Sequence, residues 1–174
     1  DRVRAEISAV AGDAPLTAKL EGVPLFGTLG GKMLLSPTAG RFSKADGKLS
    51  VLIENIVLGD GKSKLQGVAL PAARAGTLTL EAVAKKGVLQ LDTLAARGPH
   101  LELEGSGKVK LHESWQRAVA DFSLTFGFTA AYRNMSTSTQ GLLGKPNDKI
   151  RPAIELAPQF RAAKVKDGTY RFQI

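Results

Sequence analysis

Apolar and polar residues alternate with a period of two along most of the sequence, and this pattern constrains the fold more than any other feature. Successive side chains of a strand point to opposite faces of a sheet, so each alternating segment has one apolar and one polar face. Buried parallel strands give continuous apolar runs instead, so the alternation predicts an antiparallel sheet. The residues assigned to its apolar face or groove are Leu49, Val51, Ile53, Leu78, Leu80, Leu89, Leu91, Leu101, Leu103, Leu124, Phe126 and Phe128.

This apolar face has to be buried against another layer. No amphipathic helix of sufficient length is visible, which leaves a second sheet or a strongly curled sheet. Aromatic residues make up only 6% of the chain, which favours a curved sheet with a narrow interior. The predicted fold class is mainly β: a curved antiparallel sheet (β-roll, partial barrel or groove) with at most a short helix around residues 130–143. The face is interpreted either as a packed core or as an open groove that holds a lipid chain or another protein's strand.

Three Asp-Gly dipeptides predict tight turns, because glycine accepts a positive φ. The dipeptides are Asp46-Gly47, Asp60-Gly61 and Asp167-Gly168. The glycine-rich segment 24–31 predicts a further turn that leads into a strand at residues 32–35.

The length of 174 residues and the absence of cysteine indicate one domain, residues 1–174, that buries its core without disulfides. No segment of the sequence approaches the roughly 20 apolar residues that span a bilayer. The sequence starts with Asp1 rather than Met, and residues 170–174 have the pattern of a strand that stops without a turn. We therefore expect a fragment of a longer chain, with a membrane anchor outside it.

The sequence predicts no catalytic site. The segment 61–63, Gly-Lys-Ser, matches the end of a phosphate-binding loop, but Ile56 stands where that motif needs its first glycine. His100 and His112 lie apart and lack the spacing of metal ligands. We expect a protein that is not an enzyme and has no metal and no cofactor.

The net charge of +8 is concentrated at one end of the chain. Residues 1–60 carry no net charge, residues 61–129 carry +3 and residues 130–174 carry +5. The basic region is interpreted as a solvated surface or as a contact surface for a membrane or a protein. Nucleic acid is not expected, because no recognisable nucleic-acid motif frames its few aromatic residues. The predicted basic contact residues are Arg133, Lys145, Lys149, Arg151, Arg161, Lys164, Lys166 and Arg171.

Several short motifs occur in a characteristic order. Residues 47–53 read Gly-Lys-Leu-Ser-Val-Leu-Ile, residues 55–61 read Asn-Ile-Val-Leu-Gly-Asp-Gly, and residues 101–107 read Leu-Glu-Leu-Glu-Gly-Ser-Gly. A closing Asp-Gly-Thr-Tyr-Arg-Phe follows at residues 167–172. From about Leu16 onwards this order resembles the periplasmic domain of the type II secretion system protein N family (general secretion pathway protein N).

The resemblance implies a β-rich periplasmic domain that is held at the bacterial inner membrane by one helix outside this fragment. It implies an accessory, non-enzymatic role in type II secretion through protein–protein contact with the inner-membrane platform or the outer-membrane secretin. The family also resembles β-groove envelope proteins implicated in lipid transport. The alternative hypothesis is therefore a periplasmic lipid-binding or lipid-transfer module with an aliphatic groove. The third hypothesis is an adhesin-like or structural β-domain without a ligand.

Overall fold

The computed structural model describes residues 7–20, 23–38, 41–65, 67–114 and 117–173, most of which lie in β-strands. The strands are β1 (Ile7–Leu20), β2 (Val23–Thr38), β3 (Arg41–Leu58), β4 (Lys64–Leu65), β5 (Val68–Ala69), β6 (Ala73–Lys85), β7 (Val88–Arg97), β8 (Leu101–Lys110), β9 (Val119–Phe128), β10 (Lys164–Lys166) and β11 (Thr169–Gln173). The helices are α1 (Ala130–Arg133), α2 (Thr137–Leu143), a 3-10 helix (Ala153–Leu156) and α3 (Pro158–Ala163).

Nine of the strands form one sheet in the order β1-β2-β3-β6-β7-β8-β9-β11-β10, and β4 pairs only with β5. Neighbouring strands of the large sheet are antiparallel throughout. The outermost strands are β1 and β10, so the sheet is open within the described residues. Register shifts interrupt several pairings, and such bulges bend the strands. The predicted mainly β, antiparallel architecture is confirmed.

The strand register brings the alternating apolar residues onto one face. Val51 of β3 is paired with Leu80 of β6, which is paired with Leu94 of β7. Leu94 is paired with Gly105 of β8, and Gly105 with Leu124 of β9. A Cβ atom on Gly105 would lie 2.5 Å from Cδ2 of Leu94, so the Leu94 side chain lies over this glycine. Local alternation and antiparallel register therefore combine into a continuous apolar face.

Two of the predicted turns are wrong. Residues 46–47 lie inside β3, and residues 24–31 lie inside β2 as part of one long strand rather than before a shorter one. Glycine at these positions permits close backbone approach: a Cβ on Gly47 would lie 2.0 Å from the carbonyl oxygen of Leu34, and one on Gly31 2.6 Å from that of Ser50. The Asp46 carboxylate instead accepts a hydrogen bond from the backbone N–H of Lys86, at 2.8 Å.

The other two Asp-Gly predictions are confirmed. Gly61 and Gly168 have φ angles of 75° and 67°, the left-handed region that glycine enters without a Cβ clash. The Asp60 carboxylate accepts hydrogen bonds from the backbone N–H groups of Lys62 and Ser63, and these bonds lower the pKa of Asp60. The phosphate-loop-like segment 61–63 is therefore part of an Asx-stabilised turn.

The helical region is longer than predicted. The segment 130–143 holds α1 and α2, and helical turns also occupy residues 153–163, where the sequence predicted none. Ser136 caps α2 through a reciprocal capping box with Thr139, and Gly144 ends the helix with a φ of 78°. We refer to residues 130–163 as the helical cap.

The main buried core lies where the helical cap meets one end of the sheet. Leu142 and Leu143 of α2 pack with Ile154 of the 3-10 helix, with Tyr132 of α1 and with Tyr170 of β11. A second cluster adjoins it within the sheet; it comprises Ile56, Ala75 and Leu101. The core of the described chain is therefore concentrated at one end of the sheet and does not run along its whole apolar face.

The opposite end is held by the first residues of β3, 41–46, which we call the β3 arm. The N–H of Gly87, in the β6–β7 turn, donates to the carbonyl of Ala45 at 2.9 Å. The carboxylate of Glu113, beyond the end of β8, accepts hydrogen bonds from the N–H of Phe42 at 3.0 Å and from Ser43. The chain after β8 thus runs past the β6–β7 turn and meets β3.

Candidate functional site

The predicted apolar residues divide into two groups in the structure. Some pack in or against the buried clusters near the helical cap; they are Ile53, Leu78, Leu101, Phe126 and Phe128. The rest are half-buried and belong to neither cluster. We call this second group the open apolar face; it comprises Leu49, Val51, Leu80, Leu89, Leu91, Leu103 and Leu124.

No second layer of the described chain lies over the open apolar face. Helix α3 contacts β11 of the large sheet, and α2 contacts β5 of the separate two-stranded sheet, both beside the main core. The only other described sheet has two strands, β4 and β5, and belongs to the connection between β3 and β6. Of the two alternatives considered for burying this face, a second sheet is absent from the described residues, and the helical cap covers only one end.

Small residues lie between the larger aliphatic ones on this face. Ala82 is paired with Leu49 on one side and Leu91 on the other, and it is only 2% exposed. Ala84 occupies a similar position next to Leu89 and is equally inaccessible. Half-buried leucines therefore flank buried alanines, while Leu80 of the same strand lies between Val51 and Leu94, so large and small side chains alternate on this face.

The chemistry of this face is uniform. From β3 to β9, every register partner on it is Ala, Gly, Val, Ile, Leu or Phe. A site of this composition binds apolar groups by removing them from water, and it supplies no acid, base or nucleophile.

The opposite face of the sheet is polar and solvated. The Ser50 hydroxyl donates to Glu81 across the strands at 2.7 Å. The salt bridge between Arg97 and Glu104, also 2.7 Å long, is exposed on both sides. A few apolar side chains, such as Leu52, are exposed there singly, which is ordinary for a protein surface. The two faces thus have distinct environments, as the alternation predicted.

Arg133 is a correction to the predicted basic contact region. Its side chain is buried, with the residue 4% exposed, and its guanidinium binds both carboxylate oxygens of Asp167, at 2.9 and 3.0 Å. It also donates to the carbonyl oxygens of Gly144 and Lys145, each at 2.9 Å. The hydrogen bonds from Arg133 hold the pKa of Asp167 below its usual range. Arg133 is therefore a structural residue that fastens the cap to the β10–β11 turn.

Two further basic residues of the predicted region have structural partners. Lys164 forms a salt bridge of 2.8 Å with Glu155, a buried carboxylate that also accepts from the hydroxyl of Tyr170 at 3.3 Å. Burial raises the pKa of Tyr170, and the nearby Glu155 raises it further. Arg161 donates to the carbonyl oxygens of Glu155 and Leu156.

The remaining basic residues fall into two separate places. Lys145, Lys149 and Arg151 are exposed and line one surface depression together with Lys164. Lys166 and Arg171 line a different, shallow depression on the polar face of the sheet, where Arg171 donates to Thr125. The predicted basic region is therefore not one continuous surface.

The histidines have structural surroundings. Nδ1 of His100 accepts the backbone N–H of Arg74 at 3.1 Å, and its ring centroid lies 5.4 Å from that of Tyr132. Nδ1 of His112 accepts the N–H of Ser114 at 3.3 Å. In the described part of the chain, no three His, Asp or Glu side chains are grouped as metal ligands would be.

Comparison with known proteins assigns no family. No protein-family model matches the chain, and no curated protein and no solved structure is significantly similar to it. Among the described residues, no helix has the length and apolar character that crossing a membrane requires. The resemblance to the type II secretion protein N family stays a prediction.

Proposed function

We propose that this domain is a non-enzymatic binding module that holds the acyl chain of a lipid on its open apolar face. The observation that carries the proposal is the absence of a covering layer over this face in the described chain, although its register partners are uniformly apolar. The side chains of this face are half-buried, and a contiguous apolar surface without a covering layer is a candidate binding site for a hydrophobic partner.

The dimensions support a chain-like ligand. From Leu49 to Val51 the open apolar face extends about 7 Å along β3, and from β3 to β9 it extends about 19 Å across the strands. The proposed location is the periplasmic side of the bacterial inner membrane, as the family resemblance implies.

The proposal is tested with a fluorescent fatty acid and with native mass spectrometry of the purified protein. We expect saturable uptake of the probe and co-purified acyl chains that organic extraction removes. A lipid-free spectrum together with no uptake would contradict the proposal.

Two variants of one strand separate the faces. Leu80→Gln places a polar amide on the open apolar face and is expected to weaken probe binding about tenfold. Thr79→Gln adds the same side chain to the adjacent position, which faces the other side, and is expected to leave binding unchanged. Circular dichroism checks that both variants remain folded, and equal losses in the two would contradict the assignment of the site.

A second candidate function is protein–protein contact within the type II secretion machinery. The observation that favours it is the open sheet, whose outer strands β1 and β10 have no further strand partner in the described chain. An outer strand presents backbone groups that pair with a strand of another protein. We expect capture of a periplasmic domain of the platform or the secretin in a binding assay. No capture, together with intact secretion after gene deletion, would contradict this candidate.

A further inference from the structure

A loop of the helical cap combines an exposed aliphatic side chain with cations. Ile150 is 75% exposed, more than any other large hydrophobic residue that the structure describes. It stands directly between Lys149 and Arg151, both of which are exposed. Lys145, at the start of the same loop, is exposed as well. We refer to residues 145–151 as the cap loop.

The charge at the cap loop is positive once its existing ion pairs are taken into account. Three carboxylates line the depression beside the loop, those of Asp148, Glu155 and Asp167. Glu155 is paired with Lys164, and Asp167 is paired with Arg133. Of the three carboxylates, Asp148 is therefore the one without a salt bridge among the described residues.

Within the described residues, none of the three loop cations (Lys145, Lys149 and Arg151) lies in a salt bridge. They therefore outnumber Asp148 and give the loop a positive surface.

Hydrogen bonds to Arg133, Asp167 and Asp148 hold the backbone of the cap loop in place. The N–H of Asn147 donates to Asp167 at 3.1 Å, and the N–H of Ile150 donates to Asp148 at 3.1 Å. Arg133 binds the carbonyl of Lys145 from its buried position. Pro152, which directly follows the cap loop, is buried. The exposed side chains are thus presented from a fixed backbone.

We infer that the cap loop docks on an anionic lipid bilayer, with Ile150 entering the interfacial layer and Lys145, Lys149 and Arg151 facing lipid phosphates. Cations near an anionic membrane surface and an aliphatic side chain at its boundary both favour this partner. A surface that binds single-stranded nucleic acid usually has exposed aromatic rings on which the bases stack. The aromatic rings of the cap, Tyr132 and Phe160, pack against the main core instead. This inference concerns a different surface from the open apolar face and does not depend on the proposed ligand.

Vesicle co-sedimentation of the purified protein tests the inference. We expect binding to vesicles that contain phosphatidylglycerol, weak binding to pure phosphatidylcholine, and a loss of binding as salt screens the charges. The double variant Lys149→Gln/Arg151→Gln is expected to weaken binding about twentyfold, since each cation near an anionic surface contributes about fivefold. Ile150→Ser is expected to weaken it several-fold with little change in salt dependence.

Matched controls lie at the other end of the sheet. Lys85→Gln/Lys110→Gln removes the same charge from exposed positions, and Val119→Ser removes an aliphatic side chain that is 63% exposed. These variants are expected to bind nearly as the wild type does. Equal loss in the controls, or equal binding to both kinds of vesicle, would overturn the inference.

Two further outcomes keep the result specific. Displacement by inorganic phosphate at constant ionic strength would overturn the membrane assignment in favour of a free-phosphate site. Binding to an acidic polypeptide that is as tight as binding to anionic vesicles, and insensitive to Ile150→Ser, would overturn it in favour of a protein partner. Fatty-acid uptake without vesicles reports on the open apolar face alone, so the two proposals fail independently.

Discussion

The two parts of the apolar face have the same sheet architecture but different coverage. At the helical cap, aromatic rings pack face to face and edge to face; the group comprises Phe126, Phe128, Tyr132, Phe160, Tyr170 and Phe172. Away from the cap, the face is mostly aliphatic and half-buried, with leucines beside alanines and with Phe122 opposite Gly107. Both parts follow the same alternation in the sequence. The comparison teaches that alternation identifies which residues share a face but not which of them are covered.

The difference in coverage predicts a difference in stability effects. Leu143→Ala, in the main core, is expected to lower the free energy of unfolding by about 3 kcal/mol, because it removes a side chain packed on all sides and leaves a cavity. Leu80→Ala, on the open apolar face, is expected to lower it by about 1 kcal/mol, since less area is lost and no enclosed cavity forms.

Urea unfolding at constant pH measures both values. Equal losses in the two variants would show that the open apolar face is in fact covered, and the proposed acyl-chain site would then lose its basis. Adding a saturating fatty acid sharpens the comparison, because a bound ligand stabilises the wild type more than it stabilises Leu80→Ala.

Arginine residues offer a second comparison, between the buried cap and the polar face. Arg133→Lys is expected to lower the free energy of unfolding by about 2 kcal/mol. Lysine keeps the charge but cannot form the bidentate pair with Asp167 and also donate to two carbonyl oxygens. Arg171 is exposed and donates a hydrogen bond to Thr125, so Arg171→Lys is expected to lower the free energy of unfolding by less than about 0.5 kcal/mol. Thermal or urea unfolding compares them, and equal costs would contradict the structural role of Arg133.

Tyr132 makes the cap sensitive to alkali. Burial raises its pKa from 10.0 to about 12, so the folded state favours the neutral phenol. The resulting stability is fully present below pH 10 and is lost as the pH rises towards 12, by at most about 1.4 kcal/mol per pH unit. Its hydroxyl donates to the carbonyl of Pro71 at 2.6 Å.

Tyr132→Phe tests this pH dependence. The variant is expected to be slightly less stable at neutral pH, because the hydrogen bond is lost, and to lose less additional stability between pH 10 and 11. Tyr170→Phe is the companion measurement, since the pKa of Tyr170 is raised as well. If the free energies of unfolding of wild type and Tyr132→Phe fall in parallel between pH 10 and 11, the pH dependence does not come from Tyr132.

Much of the sheet was predictable because its signal is local. The alternation around Leu49–Ile53 and Leu101–Leu103 lies within single strands, so the identities of neighbouring residues are enough to predict it. Gly47 was misread because a glycine that permits close backbone approach has the same letter as one in a turn. What distinguishes Gly47 is its closeness to the backbone of Leu34, which belongs to another strand and is not visible from the neighbouring sequence.

The site itself was less predictable, because its features depend on long-range pairing. Arg133 and Asp167 are separated by 34 residues, and no local pattern distinguishes this buried pair from solvated charges. The turns at 153–163 are too short for a helical periodicity to be read. Coverage of the apolar face depends on where the cap packs, so the alternatives of packed core and open groove could not be separated from the sequence.

Glu113 gives the smallest expected effect, at the end opposite the cap. Hydrogen bonds from Ser43 and from the N–H of Phe42 lower the pKa of this exposed carboxylate. Its contribution is therefore present above the ordinary pKa of a glutamate and is lost as the pH falls through the lower, folded value. Because the carboxylate is solvated, its loss is expected to loosen the β3 arm without changing global unfolding measurably.

Hydrogen exchange resolves this local effect. In Glu113→Gln, the amides of Phe42 and Ser43 are expected to exchange several-fold faster at neutral pH, after correction for the intrinsic rate, while amides in the centre of β6 keep their protection. In the wild type, acidification is expected to produce the same local change. If the arm amides keep their protection in the variant, the β3 arm is held by backbone contacts such as Gly87 to Ala45, and the carboxylate is dispensable. The arm end would then resemble the cap end, where buried contacts rather than exposed charges fix the chain.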